Sequence, residues 1–109
     1  MNQTLYMAQR LSAMVMVPLV FGHLGVMIYA IQGGLTTGEI LGRTQGSILW
    51  FLFYGSFVVA ASIHAAIGLR TIVAETLGLR GAALALVMWG FGILTLMLGA
   101  RAVMSVTML

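Results

Sequence analysis

The 109-residue sequence contains no cysteine, and charged residues make up only 6% of it. Without cysteine, the chain can provide no thiolate ligand to an iron–sulfur cluster, no disulfide and no thiolate nucleophile. Its five basic residues are too few for the dense basic patch that nucleic-acid binding requires, so no nucleic-acid partner is expected. Any iron–sulfur chemistry must therefore come from a partner protein.

Hydrophobic residues, in contrast, make up 61% of the sequence, far more than in a soluble domain. The few charges flank long apolar stretches, which predicts an all-α integral membrane bundle of three transmembrane helices forming a single domain over residues 1–109. The apolar stretch after Arg10 is longer than the hydrophobic part of a secretory signal, so we expect it to be retained. The predicted spans cover about residues 11–31, 47–69 and 82–100.

The segments between the spans, 32–46 and 70–81, are rich in glycine and charge and are predicted to be loops at the membrane surfaces. Three spans place the N-terminus and the second loop on one side, with three arginines against two on the other side. The excess of arginine favours a cytoplasmic N-terminus. The 14 glycines suit close helix packing, which favours a partner subunit that packs against this small bundle.

Two histidines lie within the predicted spans, where a polar side chain is expensive and usually faces another helix, a cavity or a cofactor. At about 1.5 Å per residue, His64 should lie roughly 9 Å inside the membrane surface marked by Arg70. His23 should lie roughly 20 Å from that same surface, measured from Arg10. The two imidazoles are therefore expected at different depths.

Glycines stand beside both histidines. Gly68 follows His64 by one helical turn, and Gly22 and Gly25 bracket His23 in the sequence FGHLG. A flat macrocycle needs such clearance, and neutral imidazole is a common axial ligand of haem iron. A bis-histidine haem would take its second ligand from another chain or a second copy of this one, so the pattern predicts an oligomeric b-type cytochrome. The alternative is that each imidazole only hydrogen-bonds a neighbouring helix.

The arginines are candidates for two different roles. Arg10 and Arg70 lie on the side nearest His64, where the propionates of a bound haem would need cationic partners. A role for these two in binding propionate or quinone is predicted, and the alternative is that they only anchor helix ends. Anchoring at the headgroups is expected for the remaining three, Arg43, Arg80 and Arg101.

Two motifs resemble a known family. QRLSA at residues 9–13 resembles the His-Arg-x-Ser-Gly signature that opens the first helix of the cytochrome b membrane-anchor subunit of succinate dehydrogenase or fumarate reductase. HAAIGLRTIVAE at residues 64–75 resembles the His-x-x-x-Gly-aliphatic-Arg-His-x-x-x-Asp segment of the same family. The second motif is the more distinctive, and the length and three-span layout agree with the family.

The second motif carries the haem assignment. By this resemblance, His64 is the axial ligand of the haem iron, Gly68 leaves clearance for the macrocycle, and Arg70 is the cation at the helix end. The sequence departs from the family at Thr71, where the family has a second histidine, and at Glu75, which replaces an aspartate but keeps its charge.

The first motif carries the quinone assignment. Arg10 and Ser12 resemble the family's pair near the ubiquinone pocket and the haem propionate. Tyr6 stands where the family's other quinone-pocket serine falls, and its hydroxyl can still donate a hydrogen bond. Here the sequence has Gln9 in place of the family's histidine and Ala13 in place of its glycine.

His23 lies outside the common single-haem pattern. It resembles the arrangement in relatives with two haems, in which the first helix ligates the distal haem and the second helix the proximal one. The resemblance therefore allows one or two b-type haems shared with a partner subunit. The alternative is that His23 hydrogen-bonds the backbone carbonyl of Leu19, one turn earlier.

The resemblance implies a non-catalytic membrane subunit of succinate:quinone oxidoreductase in the bacterial inner membrane. Its partners would be a second anchor subunit, an iron–sulfur subunit and a flavoprotein subunit, and its substrate would be ubiquinone or menaquinone. Two alternatives remain open. One is a haem-free structural anchor for a peripheral oxidoreductase. The other is a small multidrug-type transporter, which would need a carboxylate inside the membrane, whereas Glu39 and Glu75 are predicted near its surfaces.

Overall fold

The chain is described by a computed structural model over residues 2–108, and within them it forms four helices and no strand. Three of these helices are long and apolar enough to cross a membrane, which confirms the predicted all-α architecture with three spans. In chain order the helices are α1 (Gln3–Gly33), α2 (Thr37–Thr44), α3 (Ile48–Leu77) and α4 (Gly81–Thr107).

The three long helices extend beyond the predicted spans. The bundle measures 47 Å along its longest axis, close to the 40–45 Å of a bilayer that includes its headgroup regions. Most of segment 70–81 is therefore helical rather than a loop, since α3 continues to Leu77. Arg70 and Glu75 lie on its turns because neither residue type breaks a helix. The chain first leaves the helix at Gly78, whose left-handed backbone (φ 70°) ends it.

The prediction that segment 32–46 is a loop is also wrong, because α2 occupies its centre. Thr36 and Glu39 form a capping box: the Glu39 backbone N–H donates to the Thr36 hydroxyl at 3.2 Å, and the Glu39 carboxylate accepts from the Thr36 backbone N–H at 3.4 Å. Gly34, with φ 107°, lets the chain turn out of α1. The Thr-x-x-Glu pattern was visible in the sequence and is a signal for a helix start.

Two hydrogen bonds connect α2 and the turn that follows it to the end of α4. The Thr44 hydroxyl donates to the Val106 carbonyl at 2.6 Å, and the Gly46 backbone N–H donates to the Thr107 carbonyl at 2.7 Å. These bonds put segment 32–46 and the end of α4 on the same side of the bundle, as the three-span layout requires. We call this side the α2 end, and the opposite side, where α1 begins and α3 turns into α4, the N-terminal end.

Helix α3 lies at the centre of the bundle and packs against both α1 and α4. Its buried residues Ala66 and Ile67 form a small core with Met88 of α4, and Leu5 and Ala8 of α1 pack against this core. Most other large apolar side chains face outwards, as expected for a surface covered by lipid or by partner helices.

Glycines allow α3 and α4 to approach closely. A Cβ atom added at Gly99 would collide with the Val58 side chain, and one added at Gly92 would lie 3.1 Å from the Ala66 Cβ. This packing agrees with the expectation that small residues bring the helices together.

Candidate functional site

His64 lies on the face of α3 that is turned towards α1. It shares this face with Gly68, one turn later, and with Phe57, two turns earlier, and both of these positions contact side chains of α1. The His64 ring is half-buried, and its Nδ1 atom is fully enclosed without a hydrogen-bond partner. A buried ring nitrogen without a partner is unusual, because buried polar atoms are normally paired.

Polar side chains of α1 lie in the same interface. The side chain of Gln9 packs beside Gly68, whose added Cβ would lie 3.7 Å from the Gln9 Nε2 atom. Ser12 is buried and its hydroxyl donates to the Gln9 backbone carbonyl at 3.0 Å. The clearance expected beside Gly68 is thus occupied by the amide of Gln9. We call Gln9, Ser12, His64 and Gly68 the proximal cluster.

Tyr6 and Arg10 form a separate pair on the outer face of α1. The Arg10 guanidinium donates to the Tyr6 hydroxyl at 3.2 Å, and its central carbon lies 5.8 Å from the centre of the Tyr6 ring. Both side chains are exposed. Two residues span about 200° around a helix, so Arg10 and Ser12 point in nearly opposite directions. The structure therefore joins Tyr6 to Arg10 and separates both from Ser12.

Ser12 instead borders a groove between α1 and α3. The groove has a volume of about 710 Å³, and apart from Ser12 and Ser56 its lining is apolar. Arg70 is half-buried on α3, two residues after Gly68. Arg70 thus lies at the N-terminal end, together with the proximal cluster and the Tyr6–Arg10 pair.

His23 has aromatic surroundings. Its ring lies edge-on to Phe57, with centroids 5.2 Å apart, and edge-on to Tyr54 at 6.3 Å. It borders two cavities at the α2 end, of about 500 and 180 Å³. A Cβ atom added at Gly22 would lie 3.2 Å from the Phe53 ring, whereas nothing lies within 4 Å of a Cβ added at Gly25.

The two histidines lie at different levels of the bundle. His23 contacts Phe57, and His64 follows Phe57 by seven residues on α3, which corresponds to roughly 10 Å along the axis. A single iron atom cannot be bound by both rings across this distance. Within residues 2–108, no three potential metal-binding side chains cluster. Any iron bound here would need most of its ligands from elsewhere, as haem iron does from its porphyrin.

Arg43 is predicted from the sequence only to anchor a helix end at the headgroups, but in the structure it also lies beside the His23 cavity. Arg43 borders the smaller cavity, donates to the Gly34 carbonyl at 3.0 Å, and lies 5.5 Å from the centre of the Tyr29 ring. Nearby, hydrogen bonds from the Thr36 side chain and backbone hold the pKa of the exposed Glu39 carboxyl below its usual value of 4.5, and Arg43 adds a smaller effect in the same direction. These charges support α2 and its connection to α1.

Comparison with known proteins identifies the family. The model of the succinate dehydrogenase/fumarate reductase transmembrane subunit family matches residues 1–100. The chain belongs to this family. Searches of curated proteins and of solved structures gave no match.

Membership of this family confirms the resemblance given by the two sequence motifs. The chain is an integral membrane protein and a transmembrane anchor subunit of a succinate dehydrogenase/fumarate reductase complex. This decides against the transporter alternative.

Proposed function

We propose that this anchor subunit provides His64 as the residue that would bind the iron of a b-type haem and forms part of a quinone site near Tyr6 and Arg10. Any second protein ligand to the same iron would come from a partner anchor subunit, because the other histidine of this chain lies roughly 10 Å further along the bundle. The protein would then connect the iron–sulfur subunit to quinone, with dicarboxylate chemistry confined to the flavoprotein subunit.

The observation that carries this proposal is the setting of His64. An imidazole inside the membrane with an enclosed, unpaired Nδ1 atom is costly, and such residues usually serve a cofactor or a pathway. Nδ1 is fully enclosed by protein atoms and is not open to a bound group, so Nε2 is the candidate iron ligand. The donor chemistry fits haem, because neutral imidazole is a standard axial ligand.

The chain's own residues would define the properties of this site. A bound b-type haem would accept and release one electron. His64 would hold the iron on one side, and the apolar residues Ala60 and Ile67 beside it would keep water away. Arg10 and Arg70, at the same end of the bundle, would provide positive charge for propionates and favour the reduced state.

The quinone headgroup would be held by the Tyr6–Arg10 pair. The Tyr6 hydroxyl and the Arg10 guanidinium are both hydrogen-bond donors, and a quinone carbonyl is an acceptor whose charge becomes more negative on reduction. Ser12 would act indirectly, since its hydroxyl is committed to the Gln9 carbonyl. The quinone would be ubiquinone or menaquinone, in the bacterial inner membrane, with the N-terminal end on the cytoplasmic side.

His23 is the candidate ligand of a second haem, and the two cavities beside it at the α2 end favour this role. The competing function is a haem-free anchor. It is favoured by the edge-on packing of His23 against Phe57 and Tyr54 and by the Gln9 side chain beside Gly68. In that case both histidines would serve helix packing alone.

The test is the ratio of haem to protein in the purified complex, measured as the pyridine haemochrome. With one haem per complex, His64→Leu should reduce haem to near zero, and with two it should reduce haem by half. His23→Leu should then halve the two-haem value and leave a one-haem value unchanged. Co-purification of the other subunits checks assembly.

The control variant is Thr76→Leu, which replaces an exposed polar residue on the same helix. It should leave the haem ratio unchanged. A wild-type complex without any b-type haem would establish the haem-free anchor instead, and an unchanged ratio in His64→Leu would remove His64 as a ligand.

A further inference from the structure

Two buried side-chain atoms within residues 2–108 lack a hydrogen-bond partner, and they are Gln9 Oε1 and His64 Nδ1. Their chemistry is complementary. An amide oxygen only accepts hydrogen bonds, whereas Nδ1 of a neutral imidazole donates when it carries the ring proton. Two unpaired polar atoms in an apolar interface both gain free energy if they pair with each other.

The two side chains belong to the same interface. Gln9 lies against Gly68, and His64 precedes Gly68 by one turn on the same face of α3. The neighbouring Ala8 of α1 packs against the core that contains Ile67. Gln9 is therefore on the part of α1 that packs next to the His64 turn.

Other hydroxyls nearby already have partners for their protons. Ser12 donates to the Gln9 carbonyl at 3.0 Å, and Thr71 donates to the Ile67 carbonyl at 3.1 Å. Both hydroxyl groups therefore have a hydrogen-bond partner. Gln9 is thus the side chain of the proximal cluster with an unused acceptor.

We propose that Gln9 is a positioning residue for His64: its Oε1 accepts a hydrogen bond from the Nδ1–H group and fixes the tautomer that leaves the Nε2 lone pair free. The two atoms are not hydrogen-bonded in the present arrangement, so pairing requires a change in the torsion angles of the flexible Gln9 side chain. The purpose of this pairing rests on the proposed function, because a histidine that ligates a metal normally donates its other ring N–H to a carbonyl or carboxylate. The tautomer itself does not depend on haem.

The test measures the tautomer directly in the full chain, labelled with ¹⁵N-histidine and reconstituted without haem in lipid nanodiscs. The ¹⁵N chemical shifts of the two ring nitrogens show which one carries the proton. His64→Leu and His23→Leu assign the two sets of signals. In the wild type, His64 should be mainly in the Nδ1–H form.

Two substitutions at Gln9 should then differ in their effect on the tautomer. Gln9→Leu removes the acceptor and should shift His64 to mainly the Nε2–H form, with a change of roughly fivefold in the tautomer ratio, as the loss of one hydrogen bond implies. Gln9→Glu replaces the amide oxygen with a carboxylate oxygen, which also accepts hydrogen bonds, and should retain the Nδ1–H form. Gln32→Leu, the same change at an exposed position of α1, is the matched control and should have no effect. Unchanged His23 signals confirm that the variants fold.

A wild-type His64 in the Nε2–H form, or a Gln9→Leu variant with an unchanged tautomer ratio, would overturn this proposal. The reduction potential of the assembled complex provides a second readout, which Gln9→Glu should lower and Gln9→Leu should raise, since a stronger acceptor makes the imidazole more basic. If the complex proves to lack haem, the proposed function fails while the tautomer result still stands. If haem binds but the tautomer does not respond, only the role of Gln9 fails.

Discussion

The two ends of the bundle differ in whether their buried or structural polar groups have hydrogen-bond partners. At the N-terminal end, the proximal cluster contains two enclosed atoms without partners, and the hydrogen-bonded pair of Tyr6 and Arg10 is exposed. At the α2 end, polar groups are paired: Thr44 with Val106, Arg43 with Gly34, and Glu39 with Thr36. Unsatisfied polar groups are costly and are usually retained for a purpose, whereas satisfied ones stabilise a fold. The proposed site around His64 thus lies at the end with unsatisfied polar atoms, whereas the hydrogen bonds at the α2 end hold α2 against the rest of the bundle.

The largest effect is expected from the exposed cation at the N-terminal end. Arg10→Leu should slow electron transfer between the complex and quinone by roughly 10- to 100-fold, since a hydrogen bond to a charged group is worth about 1.5–3 kcal/mol. The measurement is quinone-linked activity relative to succinate oxidation with an artificial acceptor that bypasses the quinone site. Arg101→Leu, which removes an exposed arginine from α4, is the control and should leave the ratio of the two activities unchanged. Equal losses in both variants would contradict a quinone role for Arg10.

The next largest effect concerns packing near the α2 end. Gly99→Ala should lower the free energy of unfolding by about 1–3 kcal/mol, because its Cβ would collide with Val58 and the helices must move apart. Gly90→Ala, on the same helix with nothing within 4 Å of the added Cβ, should be neutral or slightly stabilising. Unfolding of the purified chain in mixed micelles gives both values. Equal effects of the two substitutions would show that α3 and α4 do not depend on this close approach.

A smaller effect is expected from the hydrogen bond that joins α2 to α4. Thr44→Val keeps the size of this buried side chain but removes its bond to the Val106 carbonyl, at a cost of about 1 kcal/mol. Hydrogen exchange should then become faster in α2 and in the last turn of α4, while the exchange of the α3 centre stays unchanged. The exposed Thr37, on the same helix, provides the control as Thr37→Val. If exchange in α2 were insensitive to Thr44→Val, this helix would be held by other contacts.

The smallest effect is the pH dependence of α2. Glu39 has a lowered pKa in the folded chain, so its ionised form stabilises the helix start above pH 4.5, and this contribution is lost as the pH falls through the lower folded value. Amide exchange in the first turn of α2, corrected for intrinsic rates, should therefore increase on acidification below pH 4.5. Glu39→Gln should remove most of this dependence, whereas Glu75→Gln should retain it. A pH response that survives in Glu39→Gln would assign it to another group.

Part of this picture could be predicted from the sequence. The three spans follow from apolar stretches between isolated charges, and the different levels of His23 and His64 follow from residue counting along helices. The helix ends could not be read from hydropathy, because α3 and α4 continue through the polar headgroup region, where Arg70, Glu75 and Arg101 are good helix formers. Helix α2 was missed although its capping box was visible, since glycine and charge suggested a loop.

The sequence predicted individual residues of the site but not their arrangement. The motifs single out His64, Arg10 and Ser12, but adjacent positions on a helix point in different directions, so their order in the sequence does not bring them together. Ser12 faces the interior and Arg10 the outer surface. The position of the Gln9 side chain beside Gly68 depends on how α1 packs against α3.

The sequence by itself determined that this chain crosses the membrane three times as helices, because an apolar segment in lipid must satisfy its backbone hydrogen bonds internally. It also determined, through its family, the complex to which the chain belongs. Only the tertiary structure decided which polar atoms are left without partners. Pairing between helices depends on their rotation and distance, and neither is encoded in the periodicity of a single helix.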